Sequence, residues 1–159
     1  MSSAVADLAE GTIHASIEIE ATPEVVFDAM VEPEQLAAWW GSPESYRTSN
    51  WQVDPRPGGE WSTMAKNVSD GRSSVMRGRY LEVDRPRLLI YTWQPSWDDD
   101  AETTIRVELT PTRLGTRVRV THTGFGDRLA LATGHTEGWR RLLSWLEDHV
   151  GPLPKPSTA

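Results

Sequence analysis

The sequence predicts an α+β domain in which a curved antiparallel sheet wraps around one long C-terminal helix. Between residues 45 and 123, short strand-like runs are separated by closely spaced turn residues, which is typical of antiparallel hairpins. Residues 135–150 instead carry apolar side chains at spacings of three and four, the period of an amphipathic helix. A length of 159 residues fits a single domain with one core.

The N-terminal part predicts a strand followed by two short helices. Apolar and polar residues alternate across positions 13–21, which indicates a strand with one solvated face. Thr22 then offers a hydroxyl as an N-cap and Pro23 suits the first helical position, so a helix is expected to begin there. A second short helix is expected to begin at Pro33 and to end before Gly41.

Six further strands complete a predicted sheet of seven. They are expected at 46–53, 60–66, 72–83, 88–94, 103–112 and 116–123. The turns between them are too short for the crossovers that parallel strands require, so all neighbours along the chain are predicted to be antiparallel.

The last predicted element is an amphipathic helix of about four turns. Its apolar stripe consists of Trp139, Leu142, Leu143, Leu146 and Val150. Glu137 precedes Arg141 by four positions, which favours an ion pair on the helix surface. We expect residues 1–11 to be a flexible N-terminus, residues 12–151 to form the domain, and the proline-rich residues 152–159 to be a disordered tail.

Composition excludes several classes of function. A formal net charge of −7 disfavours nucleic acid and anionic membrane surfaces as partners. Without cysteine, the chain has no disulfide, thiol nucleophile or thiolate metal site. No signal peptide and no membrane span is recognisable, so we expect a cytoplasmic protein that does not insert into membranes.

Six short motifs, in this order along the chain, resemble one known family. They are PEVVF at 23–27, WWG at 39–41, RPGGEW at 56–61, GRYLEVD at 78–84, VTHTGF at 120–125 and GW at 138–139. The set is similar to the SRPBCC (START-like) superfamily, and within it to the activator of Hsp90 ATPase homologue-like group of single-domain bacterial type. The resemblance covers roughly residues 12–150.

The resemblance implies a helix-grip fold, with a seven-stranded sheet around the last helix and a cavity between them. In relatives this cavity holds lipids, hormones, polyketides or other apolar molecules, and some small bacterial members confer self-resistance to enediyne antibiotics. We therefore expect a small apolar molecule as partner and no cofactor. Because one fold hosts many functions, the fold alone does not identify the ligand.

Eight tryptophans, against three tyrosines and two phenylalanines, are the first candidates for binding residues. Indole combines a large apolar surface with one N–H donor, so clustered indoles can stack on a flat ligand and also hydrogen-bond it. Trp40 and Trp97 lie beside loop sequence and are expected at the cavity mouth. The residues predicted to contact the ligand are Trp39, Trp40, Trp61, Met76, Trp93, His122, Phe125, Trp139 and Leu143.

His122 is the one candidate catalytic residue. Alternation with Val118 and Val120 places its ring on the inner face of the sheet, where imidazole could act as acid or base or remain a neutral core side chain. The enzyme alternative is a cyclase or dehydratase in which Arg77, Arg79 or Tyr80 supplies further polarity. His135 is expected near the cavity mouth.

No metal site is predicted, because the four histidines and the acidic residues lack the spacing of metal ligands. Binding of a small apolar or aromatic ligand, for sequestration, transport or resistance, is the leading hypothesis, ahead of catalysis in the same cavity. Stimulation of a chaperone ATPase through the surface is the third. Either a monomer or a homodimer is compatible with the sequence.

Overall fold

A computed structural model describes residues 4–98, 101–126 and 128–151. Within these ranges the chain forms an α+β domain with one eight-stranded antiparallel sheet, three α-helices and a 3-10 turn. The strands are β1 Val5–Ala9, β2 Thr12–Ile19, β3 Tyr46–Val53, β4 Glu60–Asn67, β5 Ser73–Asp84, β6 Leu88–Pro95, β7 Thr103–Pro111 and β8 Thr116–Thr123. The helices are α1 Pro23–Val31, α2 Pro33–Trp39 and α3 Leu129–Val150, and the 3-10 turn is Ser96–Asp98.

The strands follow the order β1-β2-β8-β7-β6-β5-β4-β3, so only the β2–β8 pair joins strands that are distant in sequence. That pair places Ile13 opposite His122, which is itself opposite Ile105 of β7. The inward side chains of the strands form one core with the buried face of α3, which includes Trp139, Leu143 and Leu146. The predicted helix-grip arrangement is thereby confirmed.

The first strand is the main correction to the predicted fold, which had seven strands. The sequence assigned residues 1–11 to a flexible N-terminus, yet β1 pairs along its length with β2. Glu10 and Gly11 connect the two strands with positive φ at both positions, as in a primed hairpin turn. The signal is weak because β1 is short, carries an Asp and buries only Ala6. The predicted tail, residues 152–159, lies outside the described residues.

Helix α3 begins at Leu129, six positions before the predicted start. The sequence conceals these first turns because Gly134 and Gly138 weaken the helical pattern and no side chain caps the N-terminus. The expected Glu137–Arg141 pair is also replaced. Glu137 instead binds Arg140 at 2.8 Å, and Arg140 donates a further hydrogen bond to the Ala6 carbonyl of β1.

The two short helices are confirmed at Pro23 and Pro33. The Thr22 hydroxyl accepts a hydrogen bond from the Val25 amide, which satisfies one of the free donors at the start of α1. Among the described residues, no helix is both long and apolar enough to cross a membrane.

Candidate functional site

A cavity of about 350 Å³ lies between α3 and the inner face of the sheet. Most of its lining is apolar or aromatic, with contributions from β6, β7, β8, α3 and the segment that follows α2. The lining residues that are exposed to solvent are Trp97, Ala130, Gly134 and Arg141, so the opening lies between α3 and the 3-10 turn after β6. A volume of this size suits a small organic molecule.

The space is open because α3 presents small residues to it. Ala130, Gly134 and Gly138 follow one another at intervals of four, which aligns them on one helical face. A Cβ atom added to Gly134 or Gly138 would meet no other atom within 4 Å. The missing side chains therefore leave room that a ligand can occupy.

Gly138 yields a direct test of this geometry. We expect Gly138→Ala to raise the free energy of unfolding by about 0.5–1 kcal/mol, because alanine is the better helix former and its methyl group has space. Urea denaturation followed by circular dichroism measures the change. A loss of stability would contradict the open space at this position.

On the sheet side, four tryptophans form a closed circuit that we term the indole wall: Trp40, Trp51, Trp61 and Trp93. Consecutive ring centroids around the circuit are 5.3, 6.2, 5.9 and 6.1 Å apart. Trp40 and Trp93 face the cavity, while Trp97 meets Trp93 edge-on at 6.0 Å and is 53% exposed. These distances are typical of favourable aromatic pairs.

Six of the indole N–H groups in and around the cavity are already engaged within the protein. Trp40 donates to the Tyr46 hydroxyl, Trp51 to Thr48, Trp61 to the Thr92 carbonyl and Trp93 to His135. Trp39 donates to the Ala29 carbonyl and Trp139 to His122. The expectation that these indoles both stack on a ligand and hydrogen-bond it is therefore corrected: they offer it ring surface.

His122 is held in one neutral tautomer at the base of the cavity. Its Nδ1 accepts a hydrogen bond of 3.0 Å from Trp139 Nε1, and indole nitrogen can only donate. The proton of the neutral ring is therefore on Nε2, which lies 2.7 Å from the Thr103 hydroxyl. Burial, reinforced by the neighbouring His135, lowers the pKa of His122 to about 3.

His135 of α3 has a matching arrangement at the side of the cavity. Its Nε2 accepts a 3.0 Å hydrogen bond from Trp93 Nε1, so the proton lies on Nδ1, which donates to the Leu131 carbonyl one turn earlier. Each histidine thus accepts a hydrogen bond from an indole N–H across the interior. Both act as structural acceptors that fix tryptophan rings against the cavity.

This arrangement favours the interpretation of His122 as a neutral core side chain over its candidate role as acid or base. A ring that remains neutral well below pH 6, with both nitrogens engaged, does not exchange protons with a ligand near neutral pH. Arg77 and Arg79 are exposed on the other face of the sheet. Tyr80 is buried beside a separate void of about 20 Å³. The polar groups proposed for the enzyme alternative therefore do not converge on His122.

The predicted binding residues fall into three groups. Four of the nine line the cavity between α3 and the sheet: Trp40, Trp93, His122 and Trp139. Trp39 and Trp61 line the small void instead. The others are core residues outside the lining, because their side chains are buried behind it: Met76, Phe125 and Leu143. Phe125 contacts His122 from behind, with 4.7 Å between ring centroids.

Trp40, expected at the mouth, is buried, and other residues not predicted from sequence complete the opening. Tyr46, the first residue of β3, packs edge-on against Trp145 at 5.7 Å, and both line the cavity together with Arg141. Arg141 donates a 3.3 Å hydrogen bond to the Ser45 hydroxyl. Burial raises the pKa of Tyr46, so its hydroxyl stays protonated at neutral pH.

Nothing in the described ranges forms a metal-binding cluster of three or more His, Asp or Glu side chains. The polar side-chain groups of the cavity are suited to organic molecules, since they include the two neutral imidazoles, the Tyr46 hydroxyl and the Arg141 guanidinium. The site therefore provides aromatic surface in its interior and polar groups at its edge.

Comparisons with known proteins agree with this architecture. The family model described as activator of Hsp90 ATPase homolog 1-like protein matches residues 20–151. A solved protein from Chromobacterium violaceum is 27% identical, with a TM-score of 0.80 over 89% of this chain and 99% of that one. One from Nitrosomonas europaea is 28% identical, with a TM-score of 0.75 over 89% and 95%. No curated protein matches the chain.

A third similar structure carries the family designation. The AHSA1 protein from Silicibacter pomeroyi is 26% identical, with a TM-score of 0.73 over 86% of this chain and 94% of that one. The likeness covers nearly the whole of each of these chains.

Proposed function

The chain belongs to the family of activator of Hsp90 ATPase homolog 1-like proteins, and on this basis we propose that it binds a small, flat, apolar or aromatic molecule between the sheet and α3. The observation that carries the proposal is an open cavity of about 350 Å³ with stacked indoles on one side and glycines on the other. Binding of this kind serves sequestration, transport or resistance.

The energetics of the cavity support binding without chemistry. A ligand that buries about 300 Å² of apolar surface gains about 7 kcal/mol from burial, before the entropic costs of association. Stacking against Trp93 or Trp40 adds to this gain. Because the N–H groups of Trp40, Trp93 and Trp139 have partners inside the protein, the ligand needs to supply no acceptor for these three.

Tryptophan fluorescence tests the proposal. We expect methyl 2-naphthoate, a neutral flat probe, to quench emission saturably, and Gly138→Leu to weaken its binding at least about tenfold because leucine fills the cavity. Thr133→Leu is the matched control, since Thr133 is exposed on the same helix. Equal affinities for wild type and Gly138→Leu would contradict the assignment of the cavity.

The same variant separates the proposal from the interaction alternative. Stimulation of a chaperone ATPase through the protein surface would survive Gly138→Leu, because the substitution lies in the cavity lining. Binding of an apolar molecule would not. A panel comprising the naphthoate ester, a steroid, a fatty acid and an enediyne covers the ligand classes, and failure of all four to bind would contradict the proposal.

A further inference from the structure

The formal charge that the described residues bring to the cavity is positive, although the protein as a whole is acidic. The chain carries a net charge of −7, with 23 acidic residues. Yet among the described residues no Asp or Glu lines the cavity, and the only formal charge in its lining is that of Arg141. His122 is neutral, and the bonding of His135 also fits the neutral ring. Among the described lining residues, the one formal charge is therefore a cation.

Arg141 is not paired with Glu137, the partner that the sequence predicted for it. Glu137 binds Arg140, which turns that side chain toward β1. Arg141 lies on the cavity side of α3 and donates a hydrogen bond to the neutral Ser45 hydroxyl. Among the described carboxylates, none lies within ion-pair distance of Arg141. Its guanidinium thus retains both its charge and several N–H donors.

Tyr46 adds a second donor beside it. Its hydroxyl oxygen accepts the N–H of Trp40 at 3.2 Å, while no described residue accepts a hydrogen bond from the hydroxyl. Arginine offers donors only, so the mouth presents donor groups from two elements, β3 and α3. A group that matches this pattern is a strong acceptor with negative charge.

We propose that the ligand is an amphipathic aromatic carboxylate, whose flat apolar body lies against the indole wall and whose carboxylate binds Arg141 and Tyr46 at the mouth. This inference rests on the proposed function and specifies its ligand class. Planar guanidinium matches carboxylate geometry, and the exposed position of Arg141 leaves the anion partly hydrated, which limits the cost of its desolvation.

Calorimetric titration with a matched pair of probes tests the inference. We expect 2-naphthoate to bind the wild-type protein about tenfold more tightly than methyl 2-naphthoate, because only the anion forms the charge-assisted bonds. Arg141→Gln should abolish this preference, so that the acid and the ester bind the variant with about equal affinity. Arg141→Lys should retain part of it. Arg119→Gln, an equal charge change on the exposed face of β8, is the control.

The outcomes separate the two proposals. If both probes bind wild type and Arg141→Gln with equal affinity, the carboxylate inference is overturned while the cavity function stands. If neither probe binds, both fail for this ligand class. If Arg119→Gln loses the preference as fully as Arg141→Gln, the effect arises from net charge and the contact with Arg141 is refuted.

Discussion

Replacing Gly78 by alanine is expected to lower the free energy of unfolding by about 3 kcal/mol or more, one of the largest effects in the molecule. A Cβ atom at this position would overlap the carbonyl oxygen of Thr92 on β6 and would lie 2.6 Å from Trp61 Nε1. Neither neighbour is the free end of a flexible chain. The sheet must shift, and the hydrogen bond from Trp61 to Thr92 is lost.

Urea denaturation measures this effect, and Gly134→Ala is the matched control. Both variants add one methyl group, but the one at Gly134 enters open space on α3. We expect the indole wall to report the difference, since Trp61 stacks on both Trp51 and Trp93. A change below about 0.5 kcal/mol for Gly78→Ala would show that the two strands are not in close contact there.

A second large effect is expected on acidification. The pKa of His122 is about 3 in the folded protein, against an ordinary value of 6.5. Below pH 6.5, His122 becomes protonated in the unfolded chain but stays neutral in the folded protein. The free energy of unfolding therefore decreases as the pH falls from about 6.5 toward 3. By pH 4 the loss from this residue alone should be roughly 3 kcal/mol.

Substitution by glutamine isolates this contribution. In His122→Gln the side-chain amide can still accept from Trp139 and donate to Thr103, but it does not titrate. Stability curves of the variant and the wild type should therefore converge as the pH is lowered from 7 to 4. His14→Gln, at an exposed position on β2, should instead follow the wild type. Parallel curves for His122→Gln would disprove the assignment.

Most of the sheet is predictable because its strands follow a strong local rule. Alternating apolar residues and close turns define strands β2 to β8, and Thr22 and Pro23 mark the start of α1. Strand β1 escapes this rule because a short edge strand buries little, and its pairing depends on a turn that begins with Glu10. Strand β1 forms because it pairs with β2, and its own sequence pattern does not predict it.

The site was harder to predict than the fold because the cavity depends on glycines, whose lack of a side chain leaves no pattern in the sequence. Aromatic content identified Trp40, Trp93 and Trp139, which are large and buried. In the sequence, Gly134 and Gly138 only weaken the helical pattern, whereas in the structure their missing side chains create the opening. Arg141 could not be assigned either, since its freedom depends on whether Glu137 pairs three or four positions ahead.

The indole wall also has an optical consequence. Four indoles within about 6 Å of their neighbours exchange excitation far faster than they emit light, so they behave as one chromophore. Emission from the group then comes from the ring that traps the excitation energy. A quencher that contacts Trp93 therefore also quenches rings that it does not contact. Polarised excitation should be scrambled in the same way. One bound molecule would thus quench the emission of several tryptophans at once.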